Sequence, residues 1–163
     1  MITQELLQSM FDYHEDGYFI RKKTTSRLGK AGDIAGMLDK KIGYIRVGLS
    51  GKNHLIHRLI FMMHHGFMPD EVDHVNGNKL DNRIENLRAA TKSENLRNRP
   101  TNSNNTSGCK NVSWKKSLQK WSVTLNFNGK KNHLGYFEDI ELADLVAQEA
   151  RNKYHKQFAY QGV

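Results

Sequence analysis

Cysteine is nearly absent from this chain. Cys109 stands alone among 163 residues, so no internal disulfide can form and no Cys-x-x-Cys pair exists to clip a zinc ion. That scarcity fits a reduced compartment and predicts a cytoplasmic protein. Long apolar runs are missing too. Nothing approaches the roughly 20 residues needed to cross a bilayer. The start, Met1-Ile2-Thr3-Gln4-Glu5-Leu6-Leu7, lacks the basic opening and apolar stretch of a secretory signal. No membrane partner is expected. Apolar residues make up 37% of the chain and mean hydropathy is −0.72, which limits any core to modest size. Acids are short as well, 17 against 25 Lys and Arg, for a net charge of +8. A pI near 9.6 favours a polyanionic partner. The length suits one ordinary domain or two small ones.

The basic surplus is concentrated. From Arg88 to Lys131 there are ten Lys or Arg and one acid, Glu94, which leaves the rest of the chain near neutral. A solvated lysine surface usually interleaves acids, whereas a stripe of one sign matches a nucleic-acid track.

Residues 1 to about 50 read as a short helix followed by strands. Phe11-Asp12-Tyr13-His14 and Tyr18-Phe19-Ile20-Arg21 flank Asp16-Gly17, a strong hairpin turn. Gly43–Leu49 alternates like a strand, and Ile56–His65 reads as a helix with Leu59, Ile60 and Met63 on one face and Gly66 at the C-terminal cap. Residues 98–107 hold no large apolar side chain and read as a linker. Beyond them, Val112 and Trp114, then Trp121, Val123, Leu125 and Phe127, alternate with polar neighbours. Asn128-Gly129 is a tight turn, and Leu134–Phe137 makes a third strand. From Glu141 the period turns helical, with Ala143, Val146, Ala147, Ala150 and Tyr154 on one face. Trp114 and Trp121 are expected in the core.

Between these halves lies the most informative run, Asp73-His74-Val75-Asn76-Gly77-Asn78-Lys79-Leu80-Asp81-Asn82-Arg83-Ile84-Glu85-Asn86-Leu87-Arg88. Val72-Asp73-His74 suits a strand end, Leu87-Arg88-Ala89 a returning strand, and Thr91 with Glu94 a capping box that starts a helix. Neighbours on a strand face opposite sides, so Asp73 and His74 converge only where the strand breaks, and Asn76-Gly77 supplies a break. An imidazole with pKa near ~6.5 can take a proton from water at neutral pH. A carboxylate and an amide oxygen suit a hard ion such as Mg²⁺ or Mn²⁺. Asn76, Asp81 and Asn82 are expected to serve the turn alone.

This pattern resembles the zinc-free, phage-encoded branch of the HNH endonuclease family. The resemblance implies a ββα fold around one divalent metal ion, Mg²⁺ first and Mn²⁺ second, and no small-molecule cofactor. It implies Asp73 and Asn95 as metal ligands, His74 as general base, and Asn86 as the side chain that ties the loop together. His57-Arg58 sits where similar phage enzymes often carry the same pair, either to touch a phosphate or to buttress the site.

Gly108, Val112, Trp114, Lys120-Trp121, Gly129-Lys130, Leu134-Gly135-Tyr136-Phe137 and the Ala-rich helix resemble the Apetala (ethylene-response-factor) DNA-binding domain, whose three-stranded sheet enters the major groove. The expected DNA contacts are His57, Arg58, Arg88, Arg97, Arg99, Lys115, Lys116, Lys120, Ser122, Thr124, Asn126, Lys130 and Lys131. Lysine offers a mobile point charge where that family often has a bidentate arginine.

The chain is therefore expected to be α+β. A small N-terminal antiparallel sheet and helix lead into a ββα metal site at about 69–97, within a nuclease domain of residues 1–97. Residues 98–107 link it to a three-stranded antiparallel sheet packed on one helix, residues 108–163. The expected activity is metal-dependent, site-selective cleavage of double-stranded DNA, by nicking or by double-strand cleavage and with homing as one role, by a monomer or weak dimer in the cytoplasm of a phage's host. The alternative is a non-catalytic, sequence-specific DNA-binding regulator on a degenerate HNH fold.

Overall fold

The computed structural model of the chain describes residues 2–25 and 29–160. It is a mixed α+β structure with several small antiparallel sheets. Two compact units divide it, Met1–Asn95 and Leu96–Val163.

In the first unit, helix α1 (Gln4–Met10) starts at Thr3, whose side chain accepts from the Leu6 N–H. Strands β1 (Phe11–His14) and β2 (Tyr18–Arg21) form the hairpin legible at Asp16-Gly17, and β3 (Ile34–Ala35) joins β2. A second antiparallel sheet holds β4 (Met37–Asp39), β5 (Tyr44–Leu49) and β6 (Lys52–Leu55) in that order. β6 runs straight into helix α2 (Ile56–His65), which ends at Gly66 with φ 76°. A left-handed residue there costs little only for glycine.

Helix α2 organises this unit. Ile56, Leu59, Ile60 and Met63 recur at helical spacing and are buried with Leu7, Phe11, Phe19, Val47, Val72 and Leu87. Phe11 and Phe19 stack with centroids 5.0 Å apart. Each such side chain contributes roughly 1.5–3 kcal/mol on burial, so a modest cluster suffices to fix α2 against the sheets. Past it, β7 (Glu71–His74) and β8 (Leu87–Ala90) pair in the register Asp73↔Arg88 and His74↔Leu87. Helix α3 (Lys92–Arg97) follows. Its capping box is reciprocal: Glu94 N–H donates to Thr91 Oγ1 and Thr91 N–H donates to Glu94 Oε2.

The second unit has β9 (Val112–Lys115), β10 (Lys120–Phe127) and β11 (Lys130–Phe137), with β10 central, and helix α4 (Ile140–His155) packed on the sheet. β11 starts earlier than the sequence suggests. Asn128 (φ 52°) and Gly129 (φ 71°) are both left-handed, so the strands pair from Phe127↔Lys130 onward. Ala143 and Ala147 meet Val112 and Val123 in the core. Trp114 departs from expectation, being 39% exposed. It lies on an edge strand with a neighbour on one side only, and meets Trp121 edge-on at 4.9 Å. Residues 98–107 carry no helix or strand and fall within the second unit. Amides order part of this segment: Asn105 Oδ1 accepts from the Gly108 N–H at 2.7 Å, and its Nδ2 donates to the Cys109 carbonyl. Among the described residues no helix is long and apolar enough to cross a membrane.

Candidate active site

The loop between β7 and β8 is built almost entirely from its own carboxamides. Gly77 N–H donates to the His74 carbonyl, and Gly77 has φ 73°, so the chain turns sharply at the strand's end. Asn86 clamps both ends of the loop. Its Oδ1 accepts from the Asn76 N–H, and its Nδ2 donates to Asn76 Oδ1 and to the Asp81 carbonyl. This is the tying role expected of Asn86. Asn76 and Asp81 serve the turn as expected: Asn76 Oδ1 caps the Asn78 N–H, and Arg83 forks onto Asp81. Those Arg83 hydrogen bonds hold the Asp81 carboxyl down at about 2.

Asn82 does more than turn. It is fully buried, its Oδ1 lies 3.0 Å from His74 Nε2, and its Nδ2 donates to the Leu80 carbonyl. The second bond fixes which end of the amide faces the histidine. An amide oxygen only accepts, so Nε2 carries the proton and the ring's lone pair lies on Nδ1. The sequence reading gave Asn82 a turn role alone. The only signal was its place eight residues after His74, which becomes informative once the loop returns.

Two further contacts hold that loop. Tyr13 Oη accepts from the Ile84 N–H. Gly17 abuts it so closely that a Cβ would lie 2.5 Å from Arg83 N. The first hairpin thus presses on the segment that carries Asn82.

On its other side the His74 ring meets His57 edge-on at 4.8 Å, and Tyr44 lies 5.1 Å from His57 and 6.1 Å from His74. Burial lowers the His74 pKa from its usual value, opposed by the bond to Asn82 and the charge of Asp73. Burial, then the neighbouring His74 and Arg58, pushes His57 down to about 3. A neutral His57 therefore puts no charge against the His74 ring. His57 is 4% exposed, which corrects its expected place among the DNA contacts: α2 turns it inward to buttress His74. Arg58 is corrected likewise, because its fork donates to the Pro69 and Asp70 carbonyls and anchors the entry to β7.

Asp73 is buried against Arg88, its cross-strand partner, whose Nε and Nη2 both reach Oδ2 at 2.9 and 2.6 Å. Arg88 is thus committed to Asp73, another correction to the expected DNA set. The guanidinium therefore already neutralises this carboxylate. Asn95 lies half-buried on α3, and no hydrogen bond of its carboxamide occurs among the described residues. No group of three or more His, Cys, Asp or Glu is placed to hold a metal among the described residues. One carboxylate and one amide oxygen fit an ion that keeps most of its own waters, as Mg²⁺ does.

The expected contacts of the second unit fall unevenly. Lys115, Lys116, Asn126, Lys130 and Lys131 are exposed, and Thr124 is half-buried. Lys120 pairs with Glu138 at 3.2 Å. Ser122 is corrected: it is 2% exposed, between its cross-strand neighbours Ser113 and Tyr136, and offers no surface. Arg99 is exposed and Arg97 half-buried, and the carbonyls of both accept from Lys110 Nζ.

Replacing Asn82 tests the reading of this site. Asn82→Leu keeps the volume but removes the acceptor, so the His74 proton is no longer held on Nε2. Any reaction that uses this imidazole as its base is expected to slow by roughly 10–100-fold, the scale for losing a group that orients a working imidazole. Equal rates for the two proteins would remove Asn82 from that role.

Comparison with known proteins gives two findings. The HNH endonuclease family profile matches residues 54–97, which run from the end of β6 through α3. Protein 3.8 of Escherichia phage T7 is 38% identical over 90 residues, covering 54% of this chain and 72% of that protein. No solved structure matches the chain.

Proposed function

The chain belongs to the family of Escherichia phage T7 protein 3.8 and carries an HNH endonuclease domain at residues 54–97, and from that premise we propose that it hydrolyses phosphodiester bonds in double-stranded DNA. The observation that carries the reading is the His74–Asn82 contact, which puts the basic lone pair on Nδ1. His74 is buried enough to stay neutral near pH 7, and the Asp73 carboxylate stands beside it in sequence at the end of β7.

In this reading His74 Nδ1 takes a proton from water as the water oxygen attacks phosphorus. One P–O ester bond breaks, the leaving oxygen is protonated from solvent, and the imidazolium returns its proton to solvent. Asp73 and Asn95 would hold one divalent ion, Mg²⁺ before Mn²⁺, which supplies polarisation of the scissile phosphate and charge for the leaving oxygen. Arg88 keeps Asp73 aimed. Asn86 and Asn82 keep the loop and the imidazole in one geometry, which is where orientation contributes to rate.

The second unit is assigned to DNA binding. Its three-stranded sheet and single helix match the architecture implied by the Apetala resemblance, and Lys115, Lys116, Lys130 and Lys131 are exposed cations on it. Lysine contacts of this kind hold the backbone and give little base readout. With one site per chain, a monomer nicks one strand. Supercoiled plasmid incubated with Mg²⁺ or Mn²⁺ tests the proposal: open circles are expected to accumulate, while RNA of the same length stays intact.

A further inference from the structure

Residues before 54 lie outside the family match, and the sequence gives them no task. Strands β3 and β4 nevertheless carry an unusual surface. Met37 is 79% exposed, Ile34 63% and Leu38 44%, and these three line one open groove with Arg21, Lys40, Lys41 and Arg46. The groove's one acid, Asp39, is already neutralised by Arg46 at 3.0 Å. Exposed apolar side chains set in a rim where cations outnumber acids among the described residues mark an interaction site. The charge selects a polyanion.

Position narrows the choice. β4 ends at Asp39, and the turn that follows is fixed by Gly43 N–H on the Asp39 carbonyl and Lys41 N–H on Asp39 Oδ1. Lys79, in the site loop, reaches across to the Ile42 carbonyl at 3.1 Å and lies over the Tyr44 ring. Tyr44 in turn faces His57 and His74. One continuous path therefore leads from the general base, over Tyr44, to Lys40 and Lys41, and into the groove.

We propose that this groove is a second DNA-contacting surface, on which the duplex beside the scissile phosphate lies with Lys40 and Lys41 on its backbone and Met37 against sugars and base edges. The inference rests on the hydrolase reading for its substrate. Apolar side chains that enter a groove of the duplex, flanked by cations on the phosphates, are an established way to grip and bend DNA. It also explains why Ile34, Met37 and Leu38 stay uncovered.

The test uses the full chain in EDTA, so that binding is read without cleavage. The probe is a fluorescein-labelled pool of 40-base-pair duplexes of random sequence, read by anisotropy. Lys40→Glu with Lys41→Glu is expected to weaken binding at least about 10-fold. It should also lower the slope of log affinity against log salt by about 2, one unit per lost phosphate contact. Met37→Ser should weaken binding several-fold with the slope unchanged. Both variants alter exposed side chains, so their melting temperatures should match the parent's, which separates lost contact from lost fold. Affinity and slope equal to the parent's in both variants would overturn the proposal. So would a Met37→Ser protein that turns from dimer to monomer in sedimentation while binding DNA unchanged, since the groove would then join two copies. A parent chain that binds through the groove yet never nicks plasmid would overturn the hydrolase reading and leave the groove standing.

Discussion

His74→Ala is expected to cut DNA about 10²–10⁴-fold more slowly than the parent chain while binding duplex almost as well. That is the usual scale for losing a positioned general base. Several features make the imidazole hard to replace. It is buried, its tautomer is set by Asn82, its ring is backed by His57, and the loop around it is closed by Asn86. Among the described residues no other side chain shares that set of contacts, so a described neighbour cannot take over. Single-turnover nicking of supercoiled plasmid measures the effect, with anisotropy on a duplex probe as the control for binding. A variant that nicks at the parental rate would show that His74 is not the base.

Asp73→Ala should be damaging in two separable ways. Arg88 reaches Asp73 with two nitrogens, and its own side chain is only 17% exposed. Removing the carboxylate takes away the anion that this largely buried guanidinium pairs with, which costs about 3–5 kcal/mol of stability. Urea unfolding reads this directly. Cleavage should fall as well, because the one carboxylate proposed to hold the ion is gone. The double variant Asp73→Ala with Arg88→Met separates the two effects: it should recover most of the stability and none of the cleavage. Stability equal to the parent's in Asp73→Ala would mean that the ion pair holds nothing in place. Restored cleavage in the double variant would remove Asp73 from the metal site.

Local signals made much of this fold legible. Gly66 ends α2, Thr91 and Glu94 open α3, and Asn128-Gly129 turns β10 into β11, because each depends on residues within one turn of chain. The alternation around Val123 and the helical period from Ala143 likewise depend on near neighbours. The site residues Asp73, His74 and Asn86 could be singled out for the same reason: they sit in one short run with a loop of amides between them.

What stayed hidden was the partner of each polar side chain. Arg88 reads as a DNA contact because an arginine in a basic stripe looks solvated, and Arg58 because similar phage enzymes often carry a His-Arg pair there. Only the packed chain shows one fork spent on the Pro69 and Asp70 carbonyls and the other on Asp73. Asn82 reads as one more turn residue until its buried amide is seen against His74. Gly17 reads as a hairpin glycine, yet its lack of a Cβ also serves the loop at Asn82 and Arg83. Trp114 stays opposite Trp121 yet is exposed because β9 is an edge strand, and Ser122 is buried between its cross-strand neighbours Ser113 and Tyr136. Local period fixes which element forms. It says much less about which distant group a side chain meets.

The central claim is that a single neutral imidazole, beside one carboxylate able to hold an ion, breaks phosphodiester bonds in duplex DNA. Relaxation of supercoiled plasmid by the full chain, run with Mg²⁺ and again with excess EDTA, tests it most directly. Open circles that form with Mg²⁺ and vanish with EDTA are the predicted result. Plasmid that is bound yet stays supercoiled with both Mg²⁺ and Mn²⁺, or nicking that continues undiminished in EDTA, would contradict it.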